Sequence, residues 1–229
     1  METLIAMLRW IHIAAGTLAL GLAPAAMLTV KGGRAHRRWG KTYFWAMAVV
    51  ASTAVVLGLW RPQIFLTLLA VFSFYQAFSG YRTLFRKRPA QGQGPGAIDW
   101  AAALVTLAAS VALVVLGVLR PSPNWQRVGI VPVVFGVLGI VLAGLDAYKF
   151  TRPPTDPHAW WFAHMAGMLG SYIATVSAFS VVNFTFLPAT VRWLWPTALG
   201  VPLITLWITY YKLRFRRAAR PSAEAAIPS

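Results

Sequence analysis

The chain has 229 residues, of which 58% are hydrophobic and only 11% are charged, and its net charge is +16. A soluble domain carries about 25% charged residues and a disordered chain is far less apolar, so the composition excludes both classes. Cysteine is absent, which excludes disulfides, thiolate metal sites and cysteine nucleophiles.

Seven apolar runs are long enough to cross a bilayer, which takes about 20 mostly apolar residues. In chain order they are Ile11–Val30, Tyr43–Trp60, Ile64–Gly80, Trp100–Leu119, Val128–Ala147, Trp161–Val182 and Trp193–Tyr211. The pattern predicts an all-α, polytopic transmembrane bundle of seven spans, because it lacks the alternating strands of a membrane barrel. We expect a single seven-helix domain over residues 1–217 and a short disordered cytoplasmic tail over residues 218–229.

The cations are divided unequally between the two sides of this bundle. Sixteen of the 21 Lys and Arg residues fall on one side, in the segments 31–41, 82–88, 149–152 and 212–220. The cation-rich side of a membrane protein is cytoplasmic, which places the N-terminus outside and the C-terminus inside. We therefore expect a multi-pass protein of the bacterial inner membrane, in contact with anionic lipids at its cytoplasmic face and not with nucleic acid. A cleaved signal peptide over the first span would move the segment 31–41 to the outside, against this rule.

Two spans end in the same pattern, Val-Val-Leu-Gly-x-x-Arg-Pro, at residues 55–62 and 114–121. The spans that follow them end in an aromatic and a basic residue, Tyr81-Arg82 and Tyr148-Lys149, and the seventh span ends in Tyr211-Lys212. Together these ends indicate one leading helix followed by three hairpins. An internal duplication, as in some transporters, and the ordinary residue preferences of a membrane interface are alternative interpretations of it. Small residues predict helix contacts on the fifth and sixth spans. They are Gly136, Gly139, Ala143, Ala163, Gly167 and Ser171.

Histidines are the first candidates for chemistry, since ionisable groups within spans are rare and costly. His12 lies near the outer end of the first span, where a solvated or backbone-bonded ring is the alternative interpretation. His36 is predicted in the inner loop before the second span, His158 at the inner mouth of the sixth span and His164 about 9 Å deeper. This shared depth makes the last three a candidate metal or haem site. His158 and His164 can face one metal only if the helix of the sixth span begins after His158.

Other polar residues fall at the same depth and are candidates to orient these histidines or to carry protons. They are Gln76, Asp146, Met168 and Ser171, with Tyr75 and Ser79 nearby. For Asp146 a local ion pair with Lys149 is the favoured interpretation, and the orienting or proton-carrying role is the alternative. Asp99, at the start of the fourth span, is predicted to serve as an N-terminal helix charge.

The sixth span carries the most polar helix face, with spacings of four and three residues. The residues of this face are His164, Met168, Ser171, Thr175 and Ala178. The face predicts the lining of a site or of a path for a small solute. The alternative is ordinary packing, in which Ser and Thr bond to neighbouring backbone and Met fills space.

Four segments carry a resemblance to a known family. They are residues 12–16 (HIAAG), 33–43 (GRAHRRWGKTY), 79–82 (SGYR) and 164–172 (HMAGMLGSY). Together they resemble an uncharacterised family of small bacterial polytopic membrane proteins, a domain of unknown function. The resemblance implies an integral membrane protein without an established reaction, and it matches His12, His36 and His158 to the pattern of that family.

The leading functional hypothesis is a cytoplasm-side site in which His36, His158 and His164 bind a metal or haem, or relay protons. The divalent metal or haem, the substrate and any oligomer or protein partner are not specified by the sequence. Three alternatives stay open: a small-solute transporter or channel, an intramembrane metal-dependent hydrolase, and a cofactor-free assembly partner. The hydrolase lacks the close pair of histidines that we would expect.

Overall fold

The computed structural model of the chain describes residues 1–218, and over these it contains helices and no strand. The tail predicted from residue 218 onward lies, apart from its first residue, outside the described range. The helices are α1 (Glu2–Leu28), α2 (Arg34–Trp60), α3 (Ile64–Arg82), α4 (Ala97–Leu119), α5 (Pro123–Val128), α6 (Val131–Thr151), α7 (Ala159–Asn183) and α8 (Ala189–Ala218), with short 3-10 turns at Thr83–Phe85 and Pro89–Gln91.

Seven of these helices, all except α5, are long and apolar enough to cross a membrane. The seven predicted spans are thus confirmed as helices, and they support a multi-pass membrane protein. The short helix α5 was not predicted. Pro123 sits at its start, where a missing N–H costs nothing, and Gly129 ends it with a positive φ of 58°.

Most helices extend beyond their predicted apolar runs, toward the charged ends. The differences are equally large at the starts of α1, which begins at Glu2 rather than at Ile11, and of α2, which begins at Arg34 rather than at Tyr43. Hydropathy marks only the part of a helix within hydrocarbon, whereas the helix continues through the interface. The prediction that His36 lies in a loop was therefore wrong, because His36 is the third residue of α2.

The helix α3 lies at the centre of the bundle and packs against α2, α4 and α7. The helix α7 also packs against α8 and α1, while α1 pairs with α2 and α4 pairs with α6. Each predicted hairpin (α2 with α3, α4 with α6, α7 with α8) is thus a packed pair.

Glycines mark the points where neighbouring helices approach most closely. In the pattern shared by two spans, Gly58 faces Thr67 of α3 and Gly117 faces Val133 of α6, so each glycine lies at a close contact with the next spanning helix. A methyl group on Gly136 would lie 2.7 Å from the carbonyl oxygen of Ser110. Real side chains do not approach backbone so closely, which confirms the predicted contact role of Gly136.

The cation-rich connections lie at one end of the bundle, and some of their cations contact residues of neighbouring helices. Arg82, at the end of α3, binds Asp99 of α4 through two hydrogen bonds of 2.9 and 2.8 Å. Asp99 is only 1% exposed and also accepts the Gly96 N–H, so it serves as the predicted helix-start charge and joins α3 to α4. The Lys87 ammonium lies 4.5 Å from the ring of Trp160 on α7. The membrane side on which this end lies stays a prediction.

Candidate histidine site

His36 closes the end of a neighbouring helix. Its Nδ1 lies 3.0 Å from the carbonyl oxygen of Ala26, in the last turn of α1. The last carbonyls of a helix have no partner within the helix, and Ala26 also accepts the hydroxyl and N–H of Thr29. The half-buried imidazole thus satisfies the C-terminal end of α1 from the first turn of α2.

His164 has the same role at the end of α3. From the second turn of α7, its Nδ1 lies 2.8 Å from the carbonyl oxygen of Gly80. The helices α3 and α7 can approach this closely because Gly80 faces Gly167. A methyl group on Gly167 would lie 2.7 Å from the Gly80 Cα atom.

The two imidazoles meet at this crossing. The ring centres of His36 and His164 are 6.4 Å apart, and the ring planes are inclined by 78°. A carbonyl oxygen can only accept a hydrogen bond, so Nδ1 of each ring carries the proton. In the neutral state of each ring, Nε2 then keeps its lone pair and is free to bind a proton or a metal ion.

His158 lies apart from this pair. The helix α7 does begin after it, at Ala159, as a shared metal would require. The exposed ring nevertheless stacks on Phe215 of α8, with centres 4.5 Å apart, and its Nδ1 lies 3.5 Å from Asp156. Within residues 1–218 no group of three or more His, Cys, Asp or Glu side chains could hold a metal ion. The structure therefore brings two of the three predicted ligands together.

His12 is separated from the pair by the length of α1. It lies about 21 Å along the helix from Ala26. Its Nδ1 is 3.1 Å from the Val50 carbonyl oxygen and 3.0 Å from the Thr53 hydroxyl oxygen. The ring thus joins α1 to α2 in the other half of the bundle, in the backbone-bonded arrangement that the sequence left as an alternative.

Asp146 and Gln76 lie on helices next to the pair, and within residues 1–218 neither side chain forms a hydrogen bond to a histidine. Asp146 accepts hydrogen bonds from Ser79 and from the Tyr75 hydroxyl, the latter at 3.0 Å, so it links α6 to α3. The predicted ion pair with Lys149 is present, at 3.5 Å. Gln76 is buried and its amide lies beside Gly170 of α7.

The polar face of α7 packs against α2 rather than lining an open path. The Tyr43 hydroxyl donates to the Ser171 Oγ at 2.9 Å, and both side chains are buried. Thr175 contacts the Met47 sulfur at 3.4 Å, and Met168 packs into the core cluster around Tyr43. These contacts match the packing interpretation of the face, and its last predicted member, Ala178, is exposed.

Tyr43 and Arg82 were not singled out by sequence reasoning. A signal for Tyr43 was present, since it follows His36 by seven residues and therefore shares its helix face. Arg82 was placed among the inner-side cations and in the 79–82 segment, but its pairing was not predicted, although a cation at the end of α3 complements Asp99 at the start of α4.

No protein-family model, curated protein or solved structure matches the chain. The family resemblance thus stays a prediction, and the function is argued from the geometry.

Proposed function

We propose that the protein is a multi-pass protein of the bacterial inner membrane whose His36 and His164 bind one transition metal ion between them. The ion is either a bare ion or the iron of a haem, and the site lies toward the cytoplasmic side. The observation that carries this proposal is the shared hydrogen bonding of the two rings, each of which gives its Nδ1–H to a backbone carbonyl of another helix.

This hydrogen bonding is the usual outer support of a metal-binding histidine. A ligating imidazole almost always donates its other N–H to a carbonyl, a carboxylate or water, which fixes the ring orientation and the tautomer. Here both rings are fixed before any ion arrives, with Nε2 as the remaining nitrogen. Ligands held in this way lose little freedom when they bind.

The separation of the rings also suits one shared ion. An imidazole–metal bond is about 2.0–2.1 Å and the ring centre lies about 1.1 Å behind the nitrogen, so two opposed ligands have centres about 6.3 Å apart. The centres of His36 and His164 are 6.4 Å apart. The separation of the two ring centres is therefore close to that of two opposed ligands on one ion.

The helix ends that the rings close favour positive charge nearby. The C-terminus of a helix carries about half a negative charge, and α1 and α3 both end at this site. This partial negative charge offsets part of the positive charge of the Lys and Arg residues at this end of the bundle. Imidazole nitrogen suits zinc, copper, iron and nickel, and an iron or copper ion would give the protein a redox role.

The test is elemental analysis and an absorption spectrum on protein purified in mild detergent from cells grown with these metals. We expect about one metal ion per chain, lost in the His36→Ala and His164→Ala variants. His158→Ala and His12→Ala are the matched controls and should retain it, because those rings lie outside the pair.

The spectrum separates the two sources of the ion. A Soret band with stoichiometric iron identifies haem, whereas metal without that band identifies a bare ion. Absence of bound metal from the wild-type protein, or equal loss in the His158→Ala control, would overturn the proposal.

A further inference from the structure

A lateral groove of about 620 Å³ lies over α3, between α2 and α4. Its floor includes Phe74 and Phe78, and its walls include Ala51 of α2 with Ala102 and Val105 of α4. Sites for small molecules have volumes of about 300–1,000 Å³. Since Val105 is exposed at the rim, the groove opens sideways, toward the surface that lipid would cover in a membrane.

The lining of the groove suits hydrocarbon rather than a polar solute. Its Ser52 hydroxyl donates to the Ala48 carbonyl at 2.8 Å, and its Tyr75 hydroxyl donates to Asp146 at 3.0 Å. Those polar groups are therefore satisfied within the protein. What they leave at the groove surface is mainly methyl, methylene and aromatic carbon.

The depth of the groove matches one leaflet of a bilayer. Along α4 its lining runs from Ile98 to Thr106, a rise of about 12 Å. The hydrocarbon core is about 30 Å thick, so this length is shorter than one half of it. Ile98 is adjacent to Asp99, which binds Arg82, so the groove begins at the cation-rich end of the bundle.

Two cations lie on helices of the groove, beyond its lining residues and toward this end. Arg82 follows Phe78 by one helical turn, and its Nη1 is not used in the two bonds with Asp99. On α2, the face of Ser52 continues by helical spacing to Lys41, which is exposed. Trp45 lies on the same face, is 58% exposed, and is of the residue type that prefers the membrane interface.

We propose that the groove holds one acyl chain of an anionic phospholipid from the cation-rich leaflet, with its phosphate between Lys41 and Arg82. The apolar floor binds the chain and the two cations select the headgroup. This site is independent of the histidine pair.

The experiment counts phospholipids that stay bound to the full chain, by native mass spectrometry after extraction in mild detergent. We expect about one anionic phospholipid per wild-type chain. Ala102→Trp fills the groove and should reduce its occupancy at least fivefold. Ala108→Trp is the matched control, since Ala108 is exposed on the same helix and does not line the groove.

The headgroup is tested with the Lys41→Gln variant against Arg214→Gln, which removes the same charge from α8 at the same end of the bundle. Only Lys41→Gln should weaken binding of the anionic lipid relative to a zwitterionic one. The proposal is overturned if wild-type protein retains no lipid, if the retained lipid is zwitterionic or uncharged, or if Ala102→Trp binds as well as its control.

Discussion

The Nδ1 atom of His164 lies 2.8 Å from the carbonyl oxygen of Gly80, at the crossing of α7 and α3. The same bond closes the end of α3 and determines which nitrogen of the ring can act as a ligand. Packing and chemistry therefore depend on one contact. His36 forms the corresponding hydrogen bond to the Ala26 carbonyl, at the C-terminal end of α1.

The first prediction concerns the tautomers of these rings. At alkaline pH, where imidazoles are neutral, His36 and His164 should both be in the Nδ1–H form, because each donates to a carbonyl. Nitrogen-15 NMR of histidine-labelled protein measures this directly, with exposed His158 as the internal reference. An Nε2–H form of His36 or His164 would contradict the proposed ligand role, since the free lone pair would be lost.

The second prediction concerns the contact between α3 and α7. A methyl group on Gly80 would lie 2.9 Å from the Met168 backbone nitrogen, so Gly80→Ala forces the helices apart. We expect the free energy of unfolding to fall by about 1–3 kcal/mol, the usual cost of overpacking. Reversible unfolding in mixed micelles measures it. Gly144→Ala is the control, since nothing lies within 4 Å of the added methyl group, and it should be neutral or stabilising.

Features that depend on local composition were predictable from the sequence. The seven spans follow from the thickness of a bilayer, and the contact roles of Gly136 and Gly167 follow from the need for close helix packing without a hydrophobic drive. The gathering of the cations at one end of the bundle follows from the positions of the connections.

Features that depend on tertiary contacts could not be predicted from the sequence. Depth alone grouped His36, His158 and His164, but the direction of each ring depends on which carbonyl or aromatic ring lies beside it. The helix-end carbonyls of Ala26 and Gly80 orient two of the rings, while Phe215 orients the third. No spacing in one sequence identifies those partners.

The third prediction concerns the ion pair between α3 and α4. Asp99→Asn removes the charge that Arg82 and the Gly96 N–H bind, within a site where the carboxylate is 1% exposed. We expect a loss of about 1–3 kcal/mol in the free energy of unfolding, since charged hydrogen bonds are lost and Arg82 can still reach water. The matched control is Asp156→Asn at an exposed loop position, where the change should stay within about 0.5 kcal/mol. Equal effects of the two variants would contradict this role for Asp99.

The fourth prediction concerns the bond between the Tyr43 hydroxyl and the Ser171 Oγ, which holds α2 against the polar face of α7. In a double-mutant cycle of Tyr43→Phe and Ser171→Ala, the coupling energy should be about 0.6 kcal/mol and at most about 1.7 kcal/mol, as for hydrogen bonds between membrane helices. Unfolding in mixed micelles again supplies the free energies.

The control cycle combines Ser171→Ala with Tyr148→Phe. Tyr148 is exposed on α6 and its hydroxyl makes no hydrogen bond within residues 1–218, so these two changes should be additive. Additivity of the Tyr43 and Ser171 changes as well would mean that the hydroxyls do not bond in the membrane. The α7 face would then be free to contact a solute, which is the transporter alternative that the packing of Tyr43 argues against.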